Sequence, residues 1–246
     1  MKYRFLIPFA VSLLVMALPA RAQSYNEYID TSFYYIDNGQ IDKAANALLQ
    51  ALRTEPGNPG NVLLLSNLGT LQRNMGRLTD ALQSYNNALA MSPKSLTLLY
   101  NRAALWAEMD SLQQAKEDYS RILFIDDKNE ESLYHRGLIF LELNDTASAR
   151  RDFERLLALN GKSANARIGL AALMKCRGYY VQAIDLYTQV LRANPNLASL
   201  YLNRAEAYFY NRQYARASDD IDTARQLPPA DPLVSARRRI RNLAHV

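Results

Sequence analysis

The sequence predicts an all-α solenoid of stacked helical hairpins, and three series of residues predict it. Small residues at Gly69, Ala103, Gly137, Ala171 and Ala205 recur every 34 positions. Ala81, Ala115, Ala149, Ala183 and Ala217 share that period, and Tyr85, Tyr119, Phe153, Tyr187 and Ile221 follow each of them four positions later. Pro93, Pro195 and Pro229 hold the same register. A unit this short buries its apolar face only against its neighbours, so the units must stack and leave a long continuous binding surface.

Residues 1–22 stand apart from the repeats. Lys2 and Arg4 precede an uncharged apolar run from Leu6 to Leu18, followed by Pro19 and Ala20-Arg21-Ala22. That is the pattern of a secretory signal peptide with cleavage before Gln23. The run falls short of the ~20 residues that span a bilayer, and no cysteine follows it for lipid attachment. Residues 23–246 are therefore expected to form a single solenoid exported to the periplasm, with secretion beyond the outer membrane left open.

The period divides that solenoid into units at 25–58, 62–95, 96–129, 130–163, 164–197 and 198–231. The insertion Pro59-Gly60-Asn61 separates the first two. Each unit reads as two antiparallel helices. In the third, Leu99, Ala103 and Trp106 share one helical face, a break falls near Asp110, and Ala115, Tyr119 and Ile122 form a second stripe. The second repeats this with Leu65, Gly69 and Gln72, a turn at Gly76, then Ala81, Tyr85 and Ala88. The small eighth residue admits a close helix approach, and the large twenty-fourth fills the resulting groove. The proline near the end of a unit stops its second helix. Residues 232–246 read as a terminal capping helix pairing Leu233, Ile240 and Leu243 with arginines.

The formal charge of +5 overstates the basicity of this body. Lys2, Arg4 and Arg21 belong to the leader, and Arg237, Arg238, Arg239 and Arg241 cluster at the C-terminal end, leaving the repeats near neutral. A nucleic-acid binder would spread its basic surface more widely. The arginine cluster reads first as the solvated face of the capping helix, and otherwise as a patch for an acidic partner or phosphate-rich lipid. The single cysteine, Cys176, forms no intramolecular disulfide and is expected to be a buried or partly buried thiol.

The periodic positions closely resemble the tetratricopeptide repeat over residues 25–231. The resemblance rests on Leu65, Leu68, Gly69, Ala81, Tyr85, Ala88 and Pro93 in the second unit and on Ala103, Trp106, Ala115 and Tyr119 in the third. It continues through Leu170, Ala171, Ala183, Tyr187 and Pro195 in the fifth, and Tyr201, Ala205, Tyr208, Ala217, Ala224 and Pro229 in the sixth. The first unit is looser, with Tyr35, Ala44, Leu48, Ala51 and Pro56. Departures are Asp127 and Gly161 where proline is usual, and Gln72 where a large apolar residue is usual. The resemblance implies a right-handed superhelix whose first helices line the concave face.

Carried over by position, the resemblance implies a protein-binding concave face with Asn67, Thr70, Arg73, Asn74, Tyr100, Asn101, Glu108, Tyr134, His135, Leu138, Asn165, Asn203 and Glu206. Asn67, Asn101 and Asn203 recur in register, with His135 in the matching place. Such amides either hold the backbone of an extended peptide or satisfy groups of their own protein. Tyr100 and Tyr134, one repeat apart, offer aromatic contact area. Arg102, Arg136 and Arg204 follow in register; they either grip a carboxylate or, as the favoured reading, pair with local acids such as Glu117 or Asp152. The family's carboxylate clamp is expected to be absent, because Ser66, Thr70, Tyr100 and Ile168 stand where cations are required.

No catalytic constellation emerges. His135, His245 and Cys176 lack metal-ligand spacing, and Gly57 and Gly60 lack the lysine and hydroxyl of a phosphate loop. Asp126-Asp127 and Asp219-Asp220 read as turn and surface acids. The expectation is a non-enzymatic scaffold of the bacterial cell envelope that binds a protein or extended peptide, with no cofactor, metal, nucleic acid or stable membrane insertion. Two alternatives stand beside it: a structural subunit of an envelope or outer-membrane assembly acting through its convex face or ends, and an accessory regulatory partner of a separate enzyme.

Overall fold

The computed structural model describes residues 23–227, and within them the chain forms twelve α-helices and no strand. They pair into six hairpins: α1 (Tyr25–Asp37) with α2 (Ile41–Thr54), α3 (Asn61–Asn74) with α4 (Leu78–Met91), and α5 (Leu96–Glu108) with α6 (Leu112–Ile125). The series continues with α7 (Glu130–Glu142) and α8 (Thr146–Leu159), α9 (Ala164–Cys176) and α10 (Tyr180–Ala193), and α11 (Ala198–Tyr210) and α12 (Tyr214–Gln226). The leader at 1–22, the capping helix at 232–246 and the arginines Arg237, Arg238, Arg239 and Arg241 lie outside the described residues.

Local chemistry sets the helix ends. Ser24 and Glu27 close a reciprocal capping box on α1, and Ser95, Asn129, Asp145 and Ser163 accept from backbone amides at the starts of α5, α7, α8 and α9. Every hairpin turns through one residue in the left-handed region: Gly39, Gly76, Asp110, Asn144, Gly178 and Arg212, at φ between 57° and 78°. The next residue's amide then donates to the carbonyl five positions back, as Ser111 does to Trp106 at 2.8 Å. Proline is not needed to stop the second helices. α6 and α8 end before Asp126 and Asn160 at the same register as α4 and α10, which precede Pro93 and Pro195.

The small and large core positions meet as expected. A Cβ built on Gly69 would lie 2.7 Å from the Tyr85 ring, and one on Gly137 would lie 2.4 Å from Phe153. Tyr85, Tyr119, Phe153 and Tyr187 are fully buried. Ile221 departs from the series at 36% exposed, because it sits in the last described hairpin and no later described helix covers it. Each helix packs on the next, and α3 also touches α5, as α7 touches α9. These contacts crowd the odd-numbered helices on the inner side of the curve and leave the even-numbered ones outside.

A polar clamp ties hairpins together on that outer side. Arg136 donates two parallel bonds to Asp152 at 2.7 and 2.8 Å and a third to Ser120 of the preceding repeat at 3.2 Å. Arg102 repeats the arrangement with Asp118 and Asn86, and Arg204 with Asp220 and Thr188. The pairing with Asp152 is the expected one. Arg102, however, takes Asp118 in place of Glu117, because Asp118 faces the hairpin interior while Glu117 points to solvent. These arginines are structural and do not present a grip to a partner.

Two further expectations change. Asn61 is the first residue of α3 and no mere spacer: its buried side chain donates to the Glu55 and Pro56 carbonyls and accepts from the Tyr25 hydroxyl. Cys176 is exposed, since it ends α9 where the chain turns away through Gly178.

Candidate functional site

The inner wall is formed by the odd-numbered helices, whose first, second and third turns repeat every 34 residues. Its floor carries the hydroxyls of the core tyrosines. Tyr85 shares a 3.0 Å hydrogen bond with Thr70, which also donates to the Ser66 carbonyl. Burial pushes Tyr119 and Tyr187 far above the ordinary tyrosine value; next in weight, Tyr100 does the same to Tyr119 and Glu206 to Tyr187. Burial likewise raises Tyr134.

Several of the expected contact residues are occupied with one another. Arg73 and Glu108 form an ion pair at 2.5 Å across repeats two and three, and Lys175 and Glu206 form another at 2.5 Å across repeats five and six. The Tyr100 hydroxyl and His135 Nε2 lie 2.9 Å apart, and the His135 ring stacks on Tyr119 at 5.6 Å. Tyr134 packs edge-on to His135 and against Phe153, so it and Leu138 support the wall more than they present from it.

The asparagine row behaves differently. Among the described residues, Asn67, Asn101 and Asn203 make no side-chain hydrogen bond to the protein, and neither do the exposed Asn74 and Asn165. The reading in which these amides satisfy their own chain therefore fails. Beside Asn101 a cleft of about 250 Å³ opens between α5 and α7, lined by Thr97, Tyr100, Asn101, Asn129, Glu131 and Ser132. The Ser132 hydroxyl is buried there without a partner, and Glu131 forms no ion pair among the described residues. This cleft is legible only in three dimensions, because its walls come from two repeats. No group of three metal-ligating side chains occurs among the described residues. No helix among them is long and apolar enough to cross a membrane.

Comparison with known proteins agrees with this geometry. Tetratricopeptide repeat models match residues 34–95, 66–130 and 131–163. A tetratricopeptide repeat protein from Parabacteroides merdae ATCC 43184 is 38% identical, with 91% of this chain and 88% of that one covered at a TM-score of 0.76. A thermophilic repeat protein of this type from Thermus thermophilus, TTC0263, is 19% identical over 76% of this chain and 100% of its own, with a TM-score of 0.57. YrrB, described as a repeat protein of this type with an unusual peptide-binding site, is 20% identical over 79% and 99%, with a TM-score of 0.51. No match is found among curated proteins. With its hairpins, its register and a relative this similar over nearly its whole length, the chain belongs to the tetratricopeptide repeat family.

Proposed function

We propose that the protein is a non-enzymatic scaffold that holds an extended peptide segment along its inner wall, within the bacterial cell envelope. The observation that carries this reading is the row of unbonded amides at Asn67, Asn101 and Asn203. Asn101 and the largely buried Asn67 stand one repeat apart and Asn203 three repeats further on, each with a donor and an acceptor unused by the fold, which suits the backbone of an extended chain. Burying a side chain in the α5–α7 cleft would add contact area at a preformed site, where little ordering cost falls on the receptor. The envelope location rests on the sequence pattern of residues 1–22.

The test uses a photo-crosslinking residue in place of Thr97 on the inner wall and another in place of Glu117 on the outer side, each in the full chain expressed in cells. Partner segments crosslinked at Thr97 are then synthesised and titrated against Asn67→Ala/Asn101→Ala/Asn203→Ala. The triple variant is expected to keep the wild-type melting temperature, since those amides bond nothing in the fold, and to lose at least about tenfold in affinity, at ~0.5–1.5 kcal/mol per hydrogen bond. Crosslinks confined to the outer position, or an unchanged affinity, would refute the inner-wall reading.

A further inference from the structure

The outer side carries a second cavity that the inner-wall function does not use. It measures about 390 Å³, with α2 and α4 as walls and α3 as floor, and Leu49, Leu52, Leu65, Gln72, Asp80 and Met91 are among its lining. The chain's own repeats show what fills the equivalent groove elsewhere. At the register of Gln72 stand Trp106, Phe140 and Tyr208, and at the register of Leu68 stand Arg102, Arg136 and Arg204. The Arg136 guanidinium lies 5.7 Å over the Phe140 ring and that of Arg204 lies 5.6 Å over Tyr208. Repeat five fills the place with Leu170, Met174 and Leu186.

Repeat two has none of these fillings. Ser84 stands at the position of the clamp aspartates, and its hydroxyl donates to the Gln72 carbonyl oxygen at 2.6 Å, so the two polar groups bond each other and leave the half-buried Leu49, Leu52 and Leu65 lining the groove above the buried Leu68. The Pro59-Gly60-Asn61 insertion falls at the same junction. On the rim, the exposed Asp80 forms no ion pair among the described residues. A floor of leucines below an unpaired carboxylate is the complement of a ring beside a cation, the combination that the sibling repeats supply from within.

We propose that this outer groove is a second binding site, taking an aromatic side chain carried next to a basic residue on a partner's peptide segment. The ring replaces the side chain missing at Gln72, and the cation faces Asp80. The site lies on the opposite side of the helical stack from the asparagine row, so neither depends on the other.

The protein is titrated with N-acetyl-Trp-Arg-amide while the side-chain amide signals of Gln72, Gln83 and Asn87 are followed by NMR. Saturable shifts at these amides are expected, with none for N-acetyl-Ala-Arg-amide. Asp80→Asn should weaken binding about two- to fivefold, in the range of an exposed ion pair. Gln72→Trp restores the ring from inside; it should melt no lower than wild type and abolish the shifts at Gln83 and Asn87, whereas Asn101→Ala leaves them intact. Should Gln72→Trp fail to fold, Ser84→Leu copies Leu186 and plugs the same space. Absence of saturable shifts, equal binding of the alanine peptide, or undiminished binding to a folded plugged variant would each overturn the proposal.

Discussion

The ion pair of Arg136 and Asp152 shows how much one residue's surroundings decide. Its side chains are 19% and 7% exposed, and the guanidinium meets the carboxylate through two parallel bonds. A pair this enclosed gives back in Coulomb energy much of what it lost in hydration, but either partner left alone is costly. Arg136→Ala should therefore destabilise the fold by about 3–5 kcal/mol in denaturant titration. The double variant Arg136→Leu/Asp152→Leu, which copies Leu170 and Leu186 of repeat five, should recover most of that loss. The sequence shows the arginine series plainly, because those residues keep the period. It hides the partners, because the 16-residue spacing from Arg136 to Asp152 runs up one helix and down the next, and the third partner belongs to the hairpin before. The asparagine amides are ambiguous in sequence for a related reason: register places a side chain on a face but says nothing of whether a neighbour reaches it.

At the scale of the element, the hairpin turn is the most regular object in the chain. Its left-handed position is filled by glycine at Gly39, Gly76 and Gly178, by the tolerant Asp110 and Asn144, and by Arg212 at φ 60°. An arginine bears the steric cost that glycine avoids and gains no local side-chain bond in return. Arg212→Gly is expected to stabilise the protein by about 0.5–1 kcal/mol, read as a higher denaturation midpoint with an unchanged slope. Helices and turns are legible because small and large positions alternate at a spacing that only packed hairpins explain. Asn61 is not, since a lone polar residue after a Pro-Gly pair looks like linker until the Tyr25 hydroxyl and two carbonyls are seen around it. Cys176 misleads for the opposite reason: helical periodicity fades at the last residue before a turn.

For the whole molecule, the buried tyrosines link stability to alkaline pH. Tyr119 and Tyr187 release their protons only well above the ordinary value of 10.0, through burial first. Unfolded tyrosines ionise near that ordinary value, so above it the unfolded chain holds fewer protons and is favoured. Stability should be fully present below about pH 10 and fall progressively as pH rises beyond it. Urea midpoints measured across that range test this, and Tyr119→Phe should flatten the decline. The distribution of polar ties along the stack has a mechanical side as well. Arginine clamps, the Arg73–Glu108 and Lys175–Glu206 pairs and the Tyr100–His135 contact bind repeat two to three, three to four and five to six. Between repeats four and five, no side-chain hydrogen bond joins helix to helix among the described residues, and the seam is apolar: the Phe153 ring sits against Gly169 and clusters with Leu173, and Leu156 clusters with Ala166. That contact fixes the angle by interdigitation, because the ring occupies the space a Cβ on Gly169 would need. Added salt will therefore weaken the exposed charge pairs at the other junctions, while the one near Ser163, held by shape alone, will not feel it.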